Sequence, residues 1–281
     1  MATERARRPK RRTRGSADDA IGVFDSGIGG LTVLQAVTAL MPSENVMYLG
    51  DTARVPYGSK SSETVIKYAV EVADFFVERN VKAIVVACNT TSAMALEVLR
   101  ARYDVPILGV VEPGARAALR VTRRRRVGVI GTESTIESGA YARSLRAVDP
   151  DVEIFARACP LFVPLAEEGW VANDVARRAV ATYLASLKKS GIDTLILGCT
   201  HYPLLKRPIG EFLGAQVKLV DSAEETAAEL RKLLRSTGLA RRRGRGAPSF
   251  FVTDSVERFI RVGERFYGAS VVSAVRVVLR H

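Results

Sequence analysis

Two matching stretches decide the fold of this chain: Ala87-Cys88-Asn89-Thr90-Thr91 and Gly198-Cys199-Thr200-His201-Tyr202, whose cysteines lie 111 positions apart. Each comes directly after a compact apolar run, Ile84-Val85-Val86 or Leu195-Ile196-Leu197, that predicts a buried strand. Each also leads into residues suited to opening a helix. In open α/β sheets ligands bind at the carboxyl ends of the strands, and a helix amino terminus there lowers the pKa of a thiol. We therefore expect the two thiols to share one site.

The match between the two stretches extends into an internal repeat. Gly22-Val23-Phe24-Asp25-Ser26 corresponds to Gly128-Val129-Ile130-Gly131-Thr132 at an offset of 106, and Val110-Val111-Glu112 corresponds to Leu219-Val220-Asp221 at an offset of 109. This nearly constant offset predicts two similar α/β domains with mostly parallel sheets, related by a pseudo-twofold axis, with the active site in the cleft between them. We place a basic disordered tail at 1–19, the first domain at 20–113 joined by the C-terminal segment 222–281, and the second domain at 114–221.

The composition is that of a globular protein, because 47% of the 281 residues are hydrophobic and 26% are charged. No apolar run approaches the ~20 residues that cross a bilayer, and no signal peptide follows the basic amino terminus. We therefore expect a cytoplasmic protein without membrane contact. Three cysteines are too few for a disulfide framework, and two histidines exclude a histidine-rich zinc site, so we expect no metal. Cys159 has no counterpart in the repeat, and we interpret it as a core residue.

The net charge of +12 is concentrated in three places. Residues 1–15 hold seven Lys/Arg and one Glu, and the remaining excess comes from Arg123 to Arg126 and from four arginines between Arg241 and Arg245. For the tail, a solvated, disordered segment is the interpretation that needs no partner. These segments show no interleaved aromatic residues and no recognition motif. We therefore expect no nucleic-acid partner, with the basic tail as the one segment that leaves the question open.

The glycine-rich loop from Asp25 to Gly30 has the appearance of a dinucleotide-binding turn. The third glycine of that fingerprint falls on Thr32, and the Asp25 carboxylate would repel a pyrophosphate. The loop fits a small cationic or zwitterionic ligand better, and we expect no cofactor. In the next loop, Pro56 and Gly58 flank Tyr57, which favours peptide N–H groups presented to a carboxylate, although an ordinary turn with a surface tyrosine explains the residues equally well.

Two opposed thiols suit one kind of chemistry particularly well. With an ordinary pKa of about 8.5, one thiol in its deprotonated form removes a proton from one face of a carbon, and the other delivers a proton to the opposite face. This is racemisation or epimerisation. Asp25 then binds a substrate ammonium or orients a thiol, and His201 tunes Cys199 or carries a proton. Groups for binding carboxylates are Ser26, the backbone at 57–58, Asn89, Thr90 and Thr200, and either Glu167 or Glu168 could reach the cleft.

Five motifs together resemble the glutamate racemase family. They are Asp25 to Leu31, Gly50 to Gly58, Ala87 to Thr90, Cys159 to Leu165 and Leu197 to Pro203, within a match from about Ile21 to about Asp221. The resemblance implies cofactor-independent interconversion of L- and D-glutamate, with the D-enantiomer used for peptidoglycan. It also implies that Cys88 and Cys199 are the two bases, with Asp25, Glu167 and His201 assisting. The substrate contacts that it implies are Ser26, Tyr57, Gly58, Asn89, Thr90, Thr132, Thr200 and His201.

Two other functions stay open at this point. A related two-thiol racemase acting on aspartate or another acid would carry similar motifs. A nucleic-acid-associated or enzyme-inhibiting binding protein that acts through its basic segments would explain the charge. The arginine-rich tail and the 241–245 loop are departures from the family pattern. For the racemase we expect glutamate as the small-molecule partner and a homodimer.

Overall fold

The computed structural model describes residues 15–271 and 273–280 of the chain. One sheet has six parallel strands: β1 Ile21–Asp25, β2 Val46–Gly50, β3 Ala83–Val86, β4 Ile107–Gly109, β9 Pro248–Val252 and β10 Val275–Arg276. Their order across the sheet is β10-β9-β2-β1-β3-β4. The final segment of the chain thus returns to the first sheet, where β9 pairs with β2.

A second sheet has four parallel strands: β5 Arg126–Gly131, β6 Glu153–Ala158, β7 Thr194–Gly198 and β8 Lys218–Val220. Their order, β6-β5-β7-β8, repeats the order β2-β1-β3-β4 of the first sheet. The predicted fold class of two similar α/β domains with parallel sheets is confirmed. The strands of each sheet also fall inside the predicted ranges, while the domain boundaries stay a prediction. The chain passes from the first sheet to the second after β4 and returns after β8.

Helices cover both faces of each sheet, which explains why β3 and β7 are buried along their whole length. In the first half, α1 packs against α11 and α12 on one face, while α2 covers the other. The helices of the first half are α1 Leu31–Leu40, α2 Ser62–Glu78, α3 Asn89–Met94 and α4 Leu96–Arg102, followed by α5 Val111–Val121 after the crossing. The remaining helices are α6 Glu133–Glu137, α7 Ala140–Arg146, α8 Phe162–Glu168, α9 Asp174–Lys189, α10 Lys206–Leu213, α11 Ala223–Ser236 and α12 Val256–Tyr267.

Close packing of side chains on β1 and β5 requires a glycine at the same place in both repeats. A β-carbon on Gly22 would lie 2.8 Å from the ring of Phe76, and one on Gly128 would lie 2.7 Å from the Ile192 side chain. Real β-carbons essentially never come so close to another atom. The two glycines therefore allow the covering side chains to approach the sheet directly, and they explain why the repeat is visible at these positions.

The predicted tail overlaps the described residues only at 15–19, and the rest of it lies outside them. Ser16 donates its backbone N–H to Asp19 Oδ2 at 2.8 Å, and Lys82 Nζ donates to the carbonyl of Ala17 at 2.6 Å. These five residues are thus held against the first sheet. Within the two described ranges, no helix is long and apolar enough to cross a membrane.

Candidate active site

A cavity of about 330 Å³ lies where the carboxyl edges of the two sheets face each other. Because parallel strands end at the same edge, the loops after β1, β2 and β3 meet the loops after β5, β6 and β7 there. Every predicted site residue except Asp25 lines this cavity. These lining residues are Ser26, Tyr57, Gly58, Cys88, Asn89, Thr90, Thr132, Glu167, Cys199, Thr200 and His201.

Cys88 lies between β3 and α3, and its side chain is almost fully buried. The thiol donates to Ser26 Oγ at a sulfur–oxygen distance of 3.6 Å. Burial raises the pKa of Cys88 to about 11, and the nearby Asp25 adds to the rise, although hydrogen bonds from Thr91 oppose it. The expectation that the helix amino terminus lowers this pKa is therefore wrong, because the loss of solvation outweighs the helix.

Cys199 follows β7 in the second half, and its Sγ lies 3.9 Å from Nδ1 of His201. The predicted helix does not open directly at this cysteine. Pro203 has no N–H to donate to the carbonyl of Cys199, which instead accepts from the N–H of Tyr202 at 3.1 Å. The chain therefore makes a 3-10 turn over Tyr202–Leu205 before α10 begins.

His201 connects Cys199 to a carboxylate and a guanidinium. Its Nε2 lies 3.1 Å from Oε1 of Glu167, and Oε2 of Glu167 lies 3.0 Å from the guanidinium of Arg258 on α12. Burial alone lowers the pKa of His201, but hydrogen bonds with Cys199 and Glu167 outweigh it and raise this pKa to about 10. The hydrogen bond from His201 also lowers the pKa of Glu167. The row therefore runs from the sulfur of Cys199 through the protonated imidazole of His201 to the carboxylate of Glu167.

Glu167 reaches the cavity, whereas the adjacent Glu168 is exposed to solvent. The residues alone left both glutamates open, and the resemblance to the racemase family implied Glu167. Arg265 of α12 donates to the backbone carbonyl of Glu167 at 2.7 Å, and the ring of Phe266 packs edge-on against His201 with centroids 5.1 Å apart. Helix α12, which belongs to the first half, thus holds Glu167 and His201 of the second half in place.

Asp25 lies behind the cavity lining rather than in it. Its Oδ2 accepts the N–H of Gly27 at 2.9 Å, and its Oδ1 accepts the hydroxyl of Thr200 at 3.4 Å. The second contact joins the two halves of the molecule. Burial raises the pKa of the Asp25 carboxyl, against the opposing charge of His201.

Three threonine hydroxyls form a triangle across the cleft. Thr90 Oγ1 lies 2.9 Å from Thr132 Oγ1 and 3.0 Å from Thr135 Oγ1, and the last two lie 2.9 Å apart. On the same side, the hydroxyl of Tyr141 donates to Asn89 Oδ1 at 2.6 Å. Thr135 and Tyr141 were not among the site residues predicted from the sequence. The N-cap pattern from Thr132 to Thr135 was the available indication for Thr135, and nothing local identifies Tyr141.

Tyr57 is buried, and its hydroxyl donates to the carboxylate of Asp51, so the alternative of a surface tyrosine is wrong. The adjacent Gly58 touches the second half of the molecule. A β-carbon there would lie 2.5 Å from that of Thr132, and the hydroxyl of Ser134 donates to the carbonyl of Gly58 at 2.9 Å. The loop after β2 therefore closes one end of the cavity against α6.

The cavity also has lining residues that sequence analysis did not assign to the site. Most of them are apolar or lack a side chain, so neither their charge nor a hydrogen-bonding group distinguished them. They are Gly27, Val55, Pro56, Ser59, Glu133, Pro160, Val163 and Pro164. Among the described residues, no group of three or more His, Cys, Asp or Glu side chains is placed to hold a metal ion. Cys159, predicted as a core residue, is fully buried and lies outside the lining.

Two α/β halves of the same strand order, with one buried thiol on each wall of a shared cleft, define the class of two-domain α/β enzymes with paired cleft thiols. The model of the Asp/Glu/Hydantoin racemase family matches residues 31–230. The chain belongs to this family, and it is an amino-acid racemase.

Relatives of the chain support this assignment along nearly its whole length. A glutamate racemase from Geobacter metallireducens is 56% identical over 261 residues, which cover 92% of this chain and 97% of the relative. The crystal structure of a glutamate racemase isoform from Bacillus anthracis has a TM-score of 0.89 at 40% identity, covering 92% of this chain and 97% of that one. The glutamate racemase from Francisella tularensis, crystallised with D-glutamate, has a TM-score of 0.88 at 36% identity and covers 93% of this chain and 98% of that one.

Proposed function

We propose that this chain interconverts L- and D-glutamate without a cofactor, by proton transfer at Cα between Cys88 and Cys199. The observation that carries the proposal is the placement of these two thiols, which come from equivalent strand ends and line one small cavity from opposite sides. Glutamate as the substrate is supported by the relatives that are named glutamate racemases, one of them crystallised with D-glutamate.

In the reaction, a thiolate on one wall removes the Cα proton, and the electron pair of the C–H bond is left on the substrate as a carbanion stabilised by the adjacent carboxylate. The thiol on the other wall then donates its proton to the opposite face of Cα. The product is the other enantiomer, and the two sulfurs have exchanged protonation states. The reverse reaction uses the same groups in exchanged roles.

The surroundings of the two thiols suit them to unequal starting roles. Buried Cys88 beside Asp25 favours its protonated form, since its pKa lies near 11. Cys199 instead faces His201, whose Nδ1 lies 3.9 Å from its sulfur. Asp25 and His201 therefore assist different sulfurs, and Glu167 assists by holding His201 in its charged form. The unequal surroundings of the two thiols still leave kcat/KM the same in both directions, because the two enantiomers are equally stable and the equilibrium constant is one.

The lining offers many hydrogen-bond donors for the two carboxylates of glutamate. Among the described residues that line the cavity, His201 is the only cation, and the other donors are neutral hydroxyls, an amide and backbone N–H groups. We assign the substrate contacts to Ser26, Tyr57, Gly58, Asn89, Thr90, Thr132, Thr200 and His201. Such neutral donors orient a carboxylate without fixing it as strongly as an arginine pair.

The test is to follow circular dichroism of the purified protein given L-glutamate, D-glutamate or D-aspartate in separate samples. We expect the glutamate signals to decay to zero from both directions, because the equilibrium constant of a racemisation is one. Persistence of both glutamate signals, or faster decay with aspartate, would contradict the proposed substrate. In D₂O, the product should carry deuterium at Cα, which reports exchange with a solvent-derived proton.

Three cysteine variants test the two-thiol mechanism with a built-in control. Cys88→Ala and Cys199→Ala should each lower the rate of racemisation by at least about a hundredfold, since each removes one proton-transfer group. Cys159→Ala should retain normal turnover, because this buried thiol lies outside the cavity. Turnover near that of the wild type in either cleft variant would exclude the mechanism.

We further propose that the D-glutamate formed supplies peptidoglycan synthesis. The chain should restore growth of a bacterial strain that requires external D-glutamate, and the Cys88→Ala variant should not. Failure of the active wild-type enzyme to restore growth would contradict this role.

A further inference from the structure

A buried threonine hydroxyl one helical turn after Cys88 has no use in the resting site. The side chain of Thr91 is fully buried, and its oxygen has no hydrogen-bond partner of ordinary geometry among the described residues. Other helical threonines show the usual alternative, since Thr38 and Thr226 each donate to the carbonyl four positions earlier, at 3.0 and 2.6 Å. Because an unsatisfied buried hydroxyl destabilises the folded chain, its presence beside a reactive sulfur calls for an explanation.

Cys88 and Thr91 occupy two positions of a helix start whose side chains lie next to each other. Cys88 is the N-cap of α3, and Thr91 is the third residue inside the helix. At the starts of α2 and α6, the same two positions carry hydroxyls that contact each other, at oxygen–oxygen distances of 3.0 and 2.9 Å. These pairs are Ser61 with Thr64 and Thr132 with Thr135. The start of α3 is therefore the same arrangement with a sulfur in place of one oxygen.

The sulfur of Cys88 has different needs as a thiol and as a thiolate. As a thiol it donates its proton to Ser26 Oγ, at 3.6 Å. As a thiolate it accepts hydrogen bonds instead. Burial and the Asp25 carboxyl raise the pKa of Cys88, and the strongest opposing effect is a hydrogen bond from the Thr91 side chain, followed by its backbone and then by Ser26. The contact with Thr91 thus matters to the charged form of the sulfur.

The other titratable groups that act on Cys88 do not supply positive charge. Asp25, at the end of β1, opposes a thiolate. Tyr48 on β2 and Tyr57 in the following loop interact with the same sulfur, and burial raises the pKa of both, so both stay neutral. Their hydroxyl protons are already used, because Tyr48 donates to a backbone carbonyl at 3.0 Å and Tyr57 donates to a carboxylate. Neither phenol is therefore free to donate to the thiolate.

The second half of the molecule has no equivalent hydroxyl beside its thiol. Three positions after Cys199 the repeat carries Tyr202, whose hydroxyl donates to the carbonyl of Cys159 at 2.8 Å and so points away from the cleft. The side chain close to Cys199 is His201 instead. The free hydroxyl of Thr91 therefore belongs to Cys88 alone.

We propose that the Thr91 hydroxyl donates a hydrogen bond to the Cys88 thiolate whenever this sulfur has given up its proton. The proposal rests on the proton-transfer role proposed above for Cys88. When Cys88 delivers its proton to Cα, the S–H bond breaks and its electron pair stays on sulfur. The Thr91 O–H bond turns towards that charge and stays intact. Because the donor has no partner while the sulfur is protonated, it lowers the free energy of the charged state selectively.

The test measures the rate at which iodoacetamide alkylates each cysteine of the full chain at about pH 8, where the thiolate is the reacting form. Mass spectrometry of the digested protein gives the rates for Cys88 and Cys199 separately. Thr91→Val keeps the side-chain shape without the hydroxyl, so alkylation of Cys88 should slow about tenfold or more, as expected for the loss of a hydrogen bond to a charged group. Alkylation of Cys199 should be unchanged. Thr91→Ser keeps the donor and should retain the wild-type rate at Cys88.

A purely structural role of Thr91 has the opposite effect on this measurement, because a loosened helix start exposes the sulfur and speeds its alkylation. Thr91→Ala, which also lacks the hydroxyl, should slow Cys88 like Thr91→Val and replaces it if that variant does not fold. The matched control is Thr194→Val, since Thr194 is equally buried but begins β7 at the edge of the sheet opposite the cavity. It should leave both alkylation rates unchanged.

Racemisation gives the second measurement. In Thr91→Val, kcat/KM should fall about tenfold or more in both directions, and Thr91→Ser should restore it. The proposal is overturned by unchanged or faster alkylation of Cys88 in Thr91→Val, by equal slowing of Cys199, by the same slowing in Thr194→Val, or by slower alkylation with normal kcat/KM. Absence of racemisation in the wild type would refute the proposed function instead, and the alkylation rates would still decide whether Thr91 supports the thiolate.

Discussion

The two cleft thiols differ in the charged group that each one faces. Cys88 is buried beside the carboxyl of Asp25, whereas Cys199 lies 3.9 Å from the imidazole of His201. A carboxylate disfavours a neighbouring thiolate and an imidazolium favours one, so the pseudo-twofold symmetry of the fold does not extend to the electrostatics of the site. This contrast makes the charge of His201 the quantity to measure.

The charge of His201 can be observed directly, because the chain has only one other histidine, His281. In a His281→Gln variant with ¹⁵N-labelled histidine, the single imidazole should stay protonated at neutral pH and lose its proton near pH 10. Since the pKa in the folded chain lies above the ordinary value of about 6.5, the associated stability is complete below about pH 6.5 and is lost as the pH rises to about 10. A titration midpoint near 6.5 would contradict the proposed role of the Glu167 hydrogen bond.

The adjacent residues Glu167 and Glu168 offer a matched pair of substitutions, one inside the cavity and one outside it. Glu167→Gln removes the carboxylate that faces His201 and should lower kcat about tenfold or more, with a lower pKa of His201 in the same NMR experiment. Glu168→Gln changes an exposed residue outside the cavity and should change neither quantity. Equal effects of the two substitutions on kcat and on the histidine titration would show that position 167 has no special role.

Helix α12 of the first half holds His201 and Glu167 of the second half in position. Arg258→Ala removes the partner of Glu167 Oε2 and should lower kcat with little change in KM. Because Arg258 is more than half exposed, the loss should be about fivefold or less, which corresponds to an exposed ion pair worth up to about 1 kcal/mol. Arg261→Ala, one turn further along α12, is the control and should have no effect, and Arg258→Lys should recover part of the loss. Steady-state kinetics that show a KM effect alone would contradict a positioning role.

The loop after β2 depends on a glycine where it meets α6. Gly58→Ala places a β-carbon 2.5 Å from that of Thr132, so the loop or the threonine must move. We expect kcat/KM to fall by about tenfold to a hundredfold, because both sides of this contact line the cavity. Gly210→Ala, on α10, meets only Leu219 at 3.8 Å and should leave activity unchanged. Unchanged kinetics in Gly58→Ala would show that the contact can relax without cost to the site.

For the molecule as a whole, the repeat and the local patterns were sufficient to predict the architecture. The apolar runs before Cys88 and Cys199 are the buried strands β3 and β7, and the repeat corresponds to the shared strand order of the two sheets. These features follow from residues that are neighbours in sequence, which is why they could be predicted.

The missing parts of the site depend on residues far apart in sequence. Arg258 meets Glu167 across 91 positions, and Tyr141 meets Asn89 across 52, and no local pattern identifies either partner. The pKa of Cys88 was expected to move the wrong way because the degree of burial, which decides it, is known only from the packed structure. Homodimer formation stays a prediction that sedimentation can test.

The chain connects the two halves twice, once after β4 and once after β8. A single connection would let one half twist freely against the other, whereas two connections restrict the motion to a swing about the line that joins them. Such a swing would part the walls that carry Cys88 and Cys199 and open the cavity between them. On the proposed mechanism, proton removal and proton delivery at one Cα both require the two halves to be closed around the amino acid.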